Sequence, residues 1–159
     1  MSLPINARCP VARGLKVLGQ KWTLLILREA LYGTARFADF RSIGIPTEIL
    51  TKRLTALVDE GLLERREYRL DGKRARDEYH LTEAGKDTIT VMAAIGRWSD
   101  AHQPLEEGPD PLGEGTAPRY VQASTGQAVK LAFVDQNGMA IDKNDVTVVR
   151  AIGPESLKG

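Results

Sequence analysis

The chain has one cysteine, Cys9, and two histidines, His80 and His102. A lone thiol excludes an internal disulfide and any cysteine-rich metal site. The histidines have no metal-ligand spacing with each other or with Cys9, and neither stands in an acid–nucleophile pattern. Apolar runs are short. The longest, TLLIL near Leu24, falls far below the ~18–20 residues of a membrane span. Gly113-x-Gly115 has no strand before it and no helix after it, so it is not a phosphate loop. No basic-then-apolar leader pattern opens the chain. Net charge is only +1 and by itself suggests no polyanion partner. Together these absences predict a cytoplasmic, non-membrane protein from a reducing compartment, with no catalytic constellation, cofactor or metal site.

What is present is an ordinary globular composition, 42% hydrophobic and 27% charged over 159 residues. That length suits one domain plus a small addition. The charge is unevenly placed. Residues 1–104 carry 17 Lys/Arg and 13 Asp/Glu, whereas residues 105–159 carry 5 and 8. A polyanion would therefore meet the first part.

Val11, Leu15 and Leu18 fall at i, i+4 and i+7, one face of a helix over residues 9–18 that starts at Pro10 and stops at Gly19. Residues 21–31, KWTLLILREAL, are apolar nearly all round and predict a buried central helix, with Trp22 in the core. A short helix over 36–43 places Phe37, Phe40 and Ile43 on one side. After the Gly44-Ile45-Pro46-Thr47 turn, a second helix runs from Pro46 or Thr47 to Glu60, stopped by Gly61. It turns Leu50, Leu54, Leu57 and Val58 inward. Glu48, Lys52 and Thr55 lie opposite, Thr51 at the edge, Ile49 off the core side and Arg53 at its boundary. Residues 62–68 and 77–81 read as paired strands with a turn at Asp71-Gly72. Between Arg65 and Arg76 lie six basic residues against Glu67 and Asp71. Helix, turn, helix and basic hairpin make the layout of a winged helix-turn-helix, which sets one helix and one hairpin against DNA. The short, Thr-rich outer face of the second helix suits base edges and thymine methyls. The hairpin arginines gain by displacing counterions from phosphate.

Thr82 is the expected N-cap of a last helix reaching about Ala101. It carries two apolar stripes. Ile89, Met92, Ala93 and Gly96 form one; Val91, Ile95, Trp98 and His102 form the other. One stripe can cover the domain's own core. The second needs another surface, and a partner copy is the simplest. Residues 104–118, rich in Pro, Gly and Glu, predict a linker. The remainder contains short strand candidates in RYVQAST, AVKLAFVD, MAI and DVTVVRAI. Asn137-Gly138 signals a hairpin between Phe133-Val134 and Ala140-Ile141.

The blocks CPVARGLKVLGQKWTLLILREAL, RFADFRSIGIPTEILTKRLTALVDEGLLERREY and DEYHLTEAGK resemble the HxlR-type bacterial winged-helix transcription regulators, relatives of the MarR group, over about residues 8–100. The resemblance implies a homodimer of winged helix-turn-helix units on a palindromic operator. Carried over by position, Pro46, Thr47, Glu48, Thr51, Lys52 and Arg53 lie at or near the major groove, with Arg53 alternatively a structural anchor. Arg69, Lys73, Arg74 and Arg76 become wing contacts. Val91, Ile95, Trp98 and His102 become dimer contacts. Pro46 departs from the family, which usually has a capping Ser there, so either Thr47 caps the helix or Pro46 is its first residue.

Cys9 admits two readings. A helix N-terminus favours the thiolate, and some family members sense oxidants through a cysteine at this position. The alternative is a small, unreactive buried residue. The terminal hairpin resembles tails that carry paired cysteines in some relatives, where this chain has Val134 and Asn137. The expected fold is α+β: a winged helix-turn-helix and dimerisation domain over 1–103, a linker over 104–118 and a small β-hairpin extension over 119–159. The expected function is a double-stranded DNA-binding regulator, a dimeric repressor, with an oxidant or small-molecule effector open. The alternatives are a winged-helix protein-interaction module and a small-molecule binder using the extension.

Overall fold

The computed structural model describes residues 9–69, 72, 74–103 and 120–148. The chain divides into two units, residues 1–107 and 108–159. In the first, α1 (Pro10–Leu18) begins with proline at a position whose missing N–H would have had no helical partner. Its end is tight. The N–H of Gly19 donates to the Leu15 carbonyl, and a β-carbon on Gly19 would collide with that same oxygen. The central helix α2 (Lys21–Leu31) buries Thr23, Ile26, Leu27 and Ala30, one helical stripe, and packs against α1 and later elements.

α3 (Phe37–Phe40) is one turn long and continues as a 3-10 turn over Arg41–Ile43. Gly44 then takes φ +76°, the left-handed conformation that lets the chain reverse, and Ile45 drops into the core. α4 (Thr47–Asp59) follows, with Leu50, Leu54 and Leu57 buried against α2. Gly61, at φ +73°, ends it. β1 (Leu63–Tyr68) and β2 (Arg76–Leu81) form an antiparallel pair in which Leu63 faces Leu81 and Tyr68 faces Arg76. Arg36 bridges to Glu78 as a rudimentary third strand, and the N–H of Tyr79 donates to the Ala35 carbonyl at 2.8 Å. α5 (Glu83–His102) is capped by Thr82. The Thr82 hydroxyl donates to the Gly61 carbonyl at 2.6 Å and accepts the N–H of Gly85 at 3.1 Å. One side chain thus joins the end of α4 to the start of α5. The core comprises Ile26, Leu27, Ala30, Phe40, Ile45, Leu50, Leu54, Leu57, Leu62 and Leu63. Trp22 is half-buried against it, as expected.

In the second unit β3 (Phe133–Val134) pairs with β4 (Ala140–Ile141) around Gly138. Asp135 fastens the turn by accepting the N–H groups of Asn137 and Met139 at 2.8 and 2.9 Å. These bonds stabilise the carboxylate and hold its pKa below the usual value. The hairpin sits where Asn-Gly predicts it. The other strand candidates shrink. RYVQAST contributes one bridge, Val121 to Ala128, and Val146–Val148 has no regular structure. The expected linker lies outside the described residues.

Three expectations from the first unit are corrected. Thr47 does not cap α4, nor is Pro46 its first residue. Pro46 holds the N-cap position without a side-chain bond, and Thr47 is the first helical residue. Ile49 is half-buried against the core rather than exposed, because an apolar side chain at the edge of the inner face folds back over it. The inner face of α5 is set by Gly85, Thr88 and Met92, and Ile89 is exposed beside Val91, Ile95 and Trp98. At Gly85 the helix packs closely, for a β-carbon there would stand 2.1 Å from the Leu62 carbonyl oxygen.

Candidate nucleic-acid interface

The outward face of α4 presents Thr47, Glu48, Thr51, Lys52 and Thr55, all exposed. The hydroxyls of Thr51 and Thr55 each donate 3.0 Å back to the carbonyl four residues earlier, Thr47 and Thr51 respectively. Their protons are therefore committed within the helix. What they offer outward is a methyl group and oxygen lone pairs, a surface that accepts hydrogen bonds and meets other methyls. Lys52 supplies the cation on this face. Arg53 turns aside, and its Nη2 donates to Gln20 Oε1 at 3.3 Å, joining α4 to the residue preceding α2. Pro46 stands exposed at the helix entrance.

The hairpin's basic residues are not equivalent. Arg65 pairs across the strands with Asp77 at 3.7 Å, Arg66 pairs with Glu64, and Arg69 approaches Glu67 at 3.9 Å. Arg74 and Arg76 are exposed, and neither has an ion pair among the described residues. Lys73 lies outside the described residues. Of the three pairs only Arg65–Asp77 crosses between strands; the other two join residues two apart on one strand and its end.

Arg36 escaped the sequence reading because it falls off the Phe37, Phe40 and Ile43 face of its short helix, and its partners lie far along the chain. Its Nε donates to Glu78 Oε1 at 3.0 Å, and its guanidinium lies 4.7 Å from the Tyr68 ring centroid. Glu78 also meets His80 Nε2 at 3.1 Å. The hydrogen bond from Arg36 lowers the pKa of Glu78, and the same bond raises that of Arg36. Burial pushes the Tyr79 hydroxyl upward, keeping it protonated. The hairpin is thereby pinned to the segment entering α3.

Away from this surface, Cys9 is exposed at the N-cap of α1, its Sγ accepting the Ala12 N–H at 3.4 Å. That geometry overturns the buried reading of Cys9. On α5, Trp98 is 57% exposed and stacks at a tilt on His102, with ring centroids 5.5 Å apart. Val91 and Ile95 are exposed beside it, and on α1 so are Val11 and Leu15.

The model of the HxlR-like helix-turn-helix family matches residues 17–107, more than half of the chain. The chain belongs to this family. An uncharacterized HTH-type transcriptional regulator of Mycobacterium bovis is 40% identical over 126 residues, spanning 75% of this chain and 78% of the relative. The crystal structure of PA1607, a candidate transcription factor, superposes with a TM-score of 0.71 at 31% identity and covers 91% of this chain and 96% of its own. The redox regulator HypR in its oxidized form matches at 29% identity and a TM-score of 0.54, over 61% of this chain and all of its own. This HxlR-like chain is accordingly a winged-helix transcriptional regulator and not an enzyme. Among the described residues no helix is long and apolar enough to cross a membrane.

Proposed function

We propose that this HxlR-like regulator is a cytoplasmic, homodimeric repressor that reads a palindromic double-stranded operator. The observation that carries the reading is the juxtaposition of a polar, Thr-rich α4 face with a hairpin whose Arg74 and Arg76 have no ion pair among the described residues. In this reading α4 enters the major groove. Pro46, Thr47, Glu48, Thr51 and Lys52 lie against base edges, and the back-bonded threonines present methyls to thymine and lone pairs to exocyclic amines. Arg53 supports the helix through Gln20 rather than touching bases. Arg74 and Arg76, with Lys73, neutralise flanking phosphates. Arg69 contributes less because Glu67 stands beside it. Dimerisation uses the exposed Val91, Ile95, Trp98 and His102 face of α5 together with Val11 and Leu15 of α1, and sets two half-sites about 34–36 Å apart or a multiple of that.

The test is a pair of substitutions titrated on operator and scrambled duplexes. Lys52→Ala is expected to weaken operator binding more than scrambled binding, on the order of tenfold for a lost base contact. Arg74→Ala is expected to weaken both about equally and to lower the slope of log K against log salt by about 1. If Arg74→Ala left both affinities untouched, the wing assignment would be wrong.

A redox response is a second reading, supported by the exposed Cys9 thiol at a helix N-terminus and by the fold shared with HypR. With one cysteine per chain, oxidation leads to a Cys9–Cys9 bridge between subunits, a mixed disulfide or a sulfenic acid. Operator binding compared before and after mild peroxide, in the native protein and in Cys9→Ser, decides it. An identical response in both proteins removes Cys9 from the mechanism.

A further inference from the structure

Two surfaces of this protein lack cover. In the second unit none of residues 120–148 is buried, and Val121, Val129, Phe133, Val134 and Met139 are exposed. The unit thus has a hairpin but, among its described residues, no core. Ordered backbone loses entropy at every residue, and a few hydrogen bonds at a turn do not offset that without burial. The covering surface therefore lies outside this unit. α1 is the other surface. It buries none of its residues, leaves Val11 and Leu15 exposed, and carries Arg13 and Lys16 with no acidic residue. Residues 104–148 carry seven Asp/Glu against three Lys/Arg. An apolar, acidic piece of chain and an apolar, basic helix are complements. The rival surfaces of the first unit do not combine the two. Among the described residues the β1–β2 hairpin has no large exposed apolar side chain, and α5 exposes Glu83, Asp87 and Asp100 along with its apolar rows.

We infer that the second unit of each chain packs on α1 of a second copy, its apolar residues over Val11 and Leu15 and its acidic residues toward Arg13 and Lys16. The inference rests on the homodimer reading given above and deepens it by naming what α1 meets. Within one chain both surfaces stay exposed. A reciprocal exchange between two copies covers all four at once. Area points the same way. The large exposed apolar side chains of α5, Ile89, Val91, Ile95 and Trp98, are each about half exposed. Together they supply roughly 400 Å², whereas a stable interface takes about 800 Å² from each partner. The chain between Gln103 and Tyr120 is long enough, for its 16 residues can span up to about 50 Å, more than the ~30 Å of a small domain.

The experiment uses the full chain and two kinds of copy. One carries a nitroxide on the thiol of the Cys9→Ser, Gln136→Cys variant, at an exposed turn residue of the hairpin. The other is the Cys9→Ser chain labelled with nitrogen-15 and free of nitroxide. After the two exchange subunits, only contacts between copies broaden the nitrogen-15 spectrum. Strong broadening is expected at the amides of Ala12, Leu15 and Lys16. Phe133→Glu in the nitroxide copy should remove it, and in sedimentation velocity the same substitution should raise the dimer Kd about tenfold, the scale of one apolar side chain left unburied. If Phe133→Glu loosens the hairpin itself, Met139→Glu, at an exposed side chain outside the paired strands, carries the comparison. Broadening of α1 only when nitroxide and nitrogen-15 share one chain would overturn the proposal, because the unit would then cover its own α1. So would broadening at residues 133–141 of the second copy in place of α1, or an unchanged Kd in both variants. A native chain that sediments as a monomer removes the homodimer reading and this inference with it. A dimer whose α1 amides stay sharp removes this inference alone.

Discussion

Thr51 and Thr55 show how a side chain's local bonding decides what it can recognise. Each hydroxyl donates to the carbonyl one turn earlier, so what it offers outward in this arrangement is a methyl group and oxygen lone pairs. If α4 reads bases as proposed, this face favours methyl groups and amino donors, with Lys52 as the cation among its exposed residues. Glu78 poses a different residue-scale question. Its pKa is depressed by the hydrogen bond from Arg36, so it contributes stability that is present above the unfolded carboxylate value, about 4.3, and lost as pH falls through the lower folded value. Glu78→Gln should therefore be less stable than the native chain near neutral pH. The difference should shrink as pH falls below the unfolded value of about 4.3, read as converging urea midpoints. A constant difference across that range would mean that the carboxylate's charge is not what matters there. Arg36 itself was invisible in the sequence. An arginine off the apolar face of its short helix gives no periodic signal, and its partner Glu78 lies about forty residues away.

At the scale of elements, most of the helical architecture was legible. The α4 boundary at Gly61 follows from the glycine, and its inner face from Leu50, Leu54 and Leu57. The strand pair follows from the composition around Asp71-Gly72. The face of α5 was not legible in the same way. Periodicity shows that a helix has apolar stripes but not which one faces inward when it carries two. The side that turns inward carries Gly85, whose missing side chain lets α5 press on the Leu62 carbonyl. Gly85→Ala should cost about 2 kcal/mol, the scale of forced overpacking, although alanine is the better helix former. Thermal unfolding at fixed pH checks this, and a neutral or stabilising result would show that the approach relaxes freely. The start of α4 likewise depends on context. Pro46, which sequence rules place at the first helical position, holds the N-cap instead, without a side-chain bond, and Thr47 opens the helix.

At the scale of the molecule, the first unit leaves Val11, Leu15, Ile95 and Trp98 substantially exposed. Singly exposed apolar residues are ordinary, but rows of them at helical spacing on two helices are not. If they pair two copies, Ile95→Glu should convert a dimer into monomers at micromolar concentration. Operator affinity should then fall by more than any single contact explains, because two linked half-sites bind far more tightly than one. Sedimentation velocity followed by operator titration measures both, and a variant that remains dimeric would place the interface elsewhere. The match to PA1607 covers 91% of this chain and so reaches past α5 into the second unit.

The sequence by itself determined where the helices lie, that Leu50, Leu54 and Leu57 face the core, and that a basic hairpin follows an amphipathic helix. These are consequences of local periodicity, turn residues and burial, all written along one stretch of chain. Only the tertiary structure decided which arginines remain open. Arg65 is answered by Asp77 across the hairpin, while Arg74 and Arg76 have no ion pair among the described residues. It also revealed the Arg36–Glu78 pin. Those features depend on the register between segments far apart in the chain, and charge compensation acts through space rather than along the backbone.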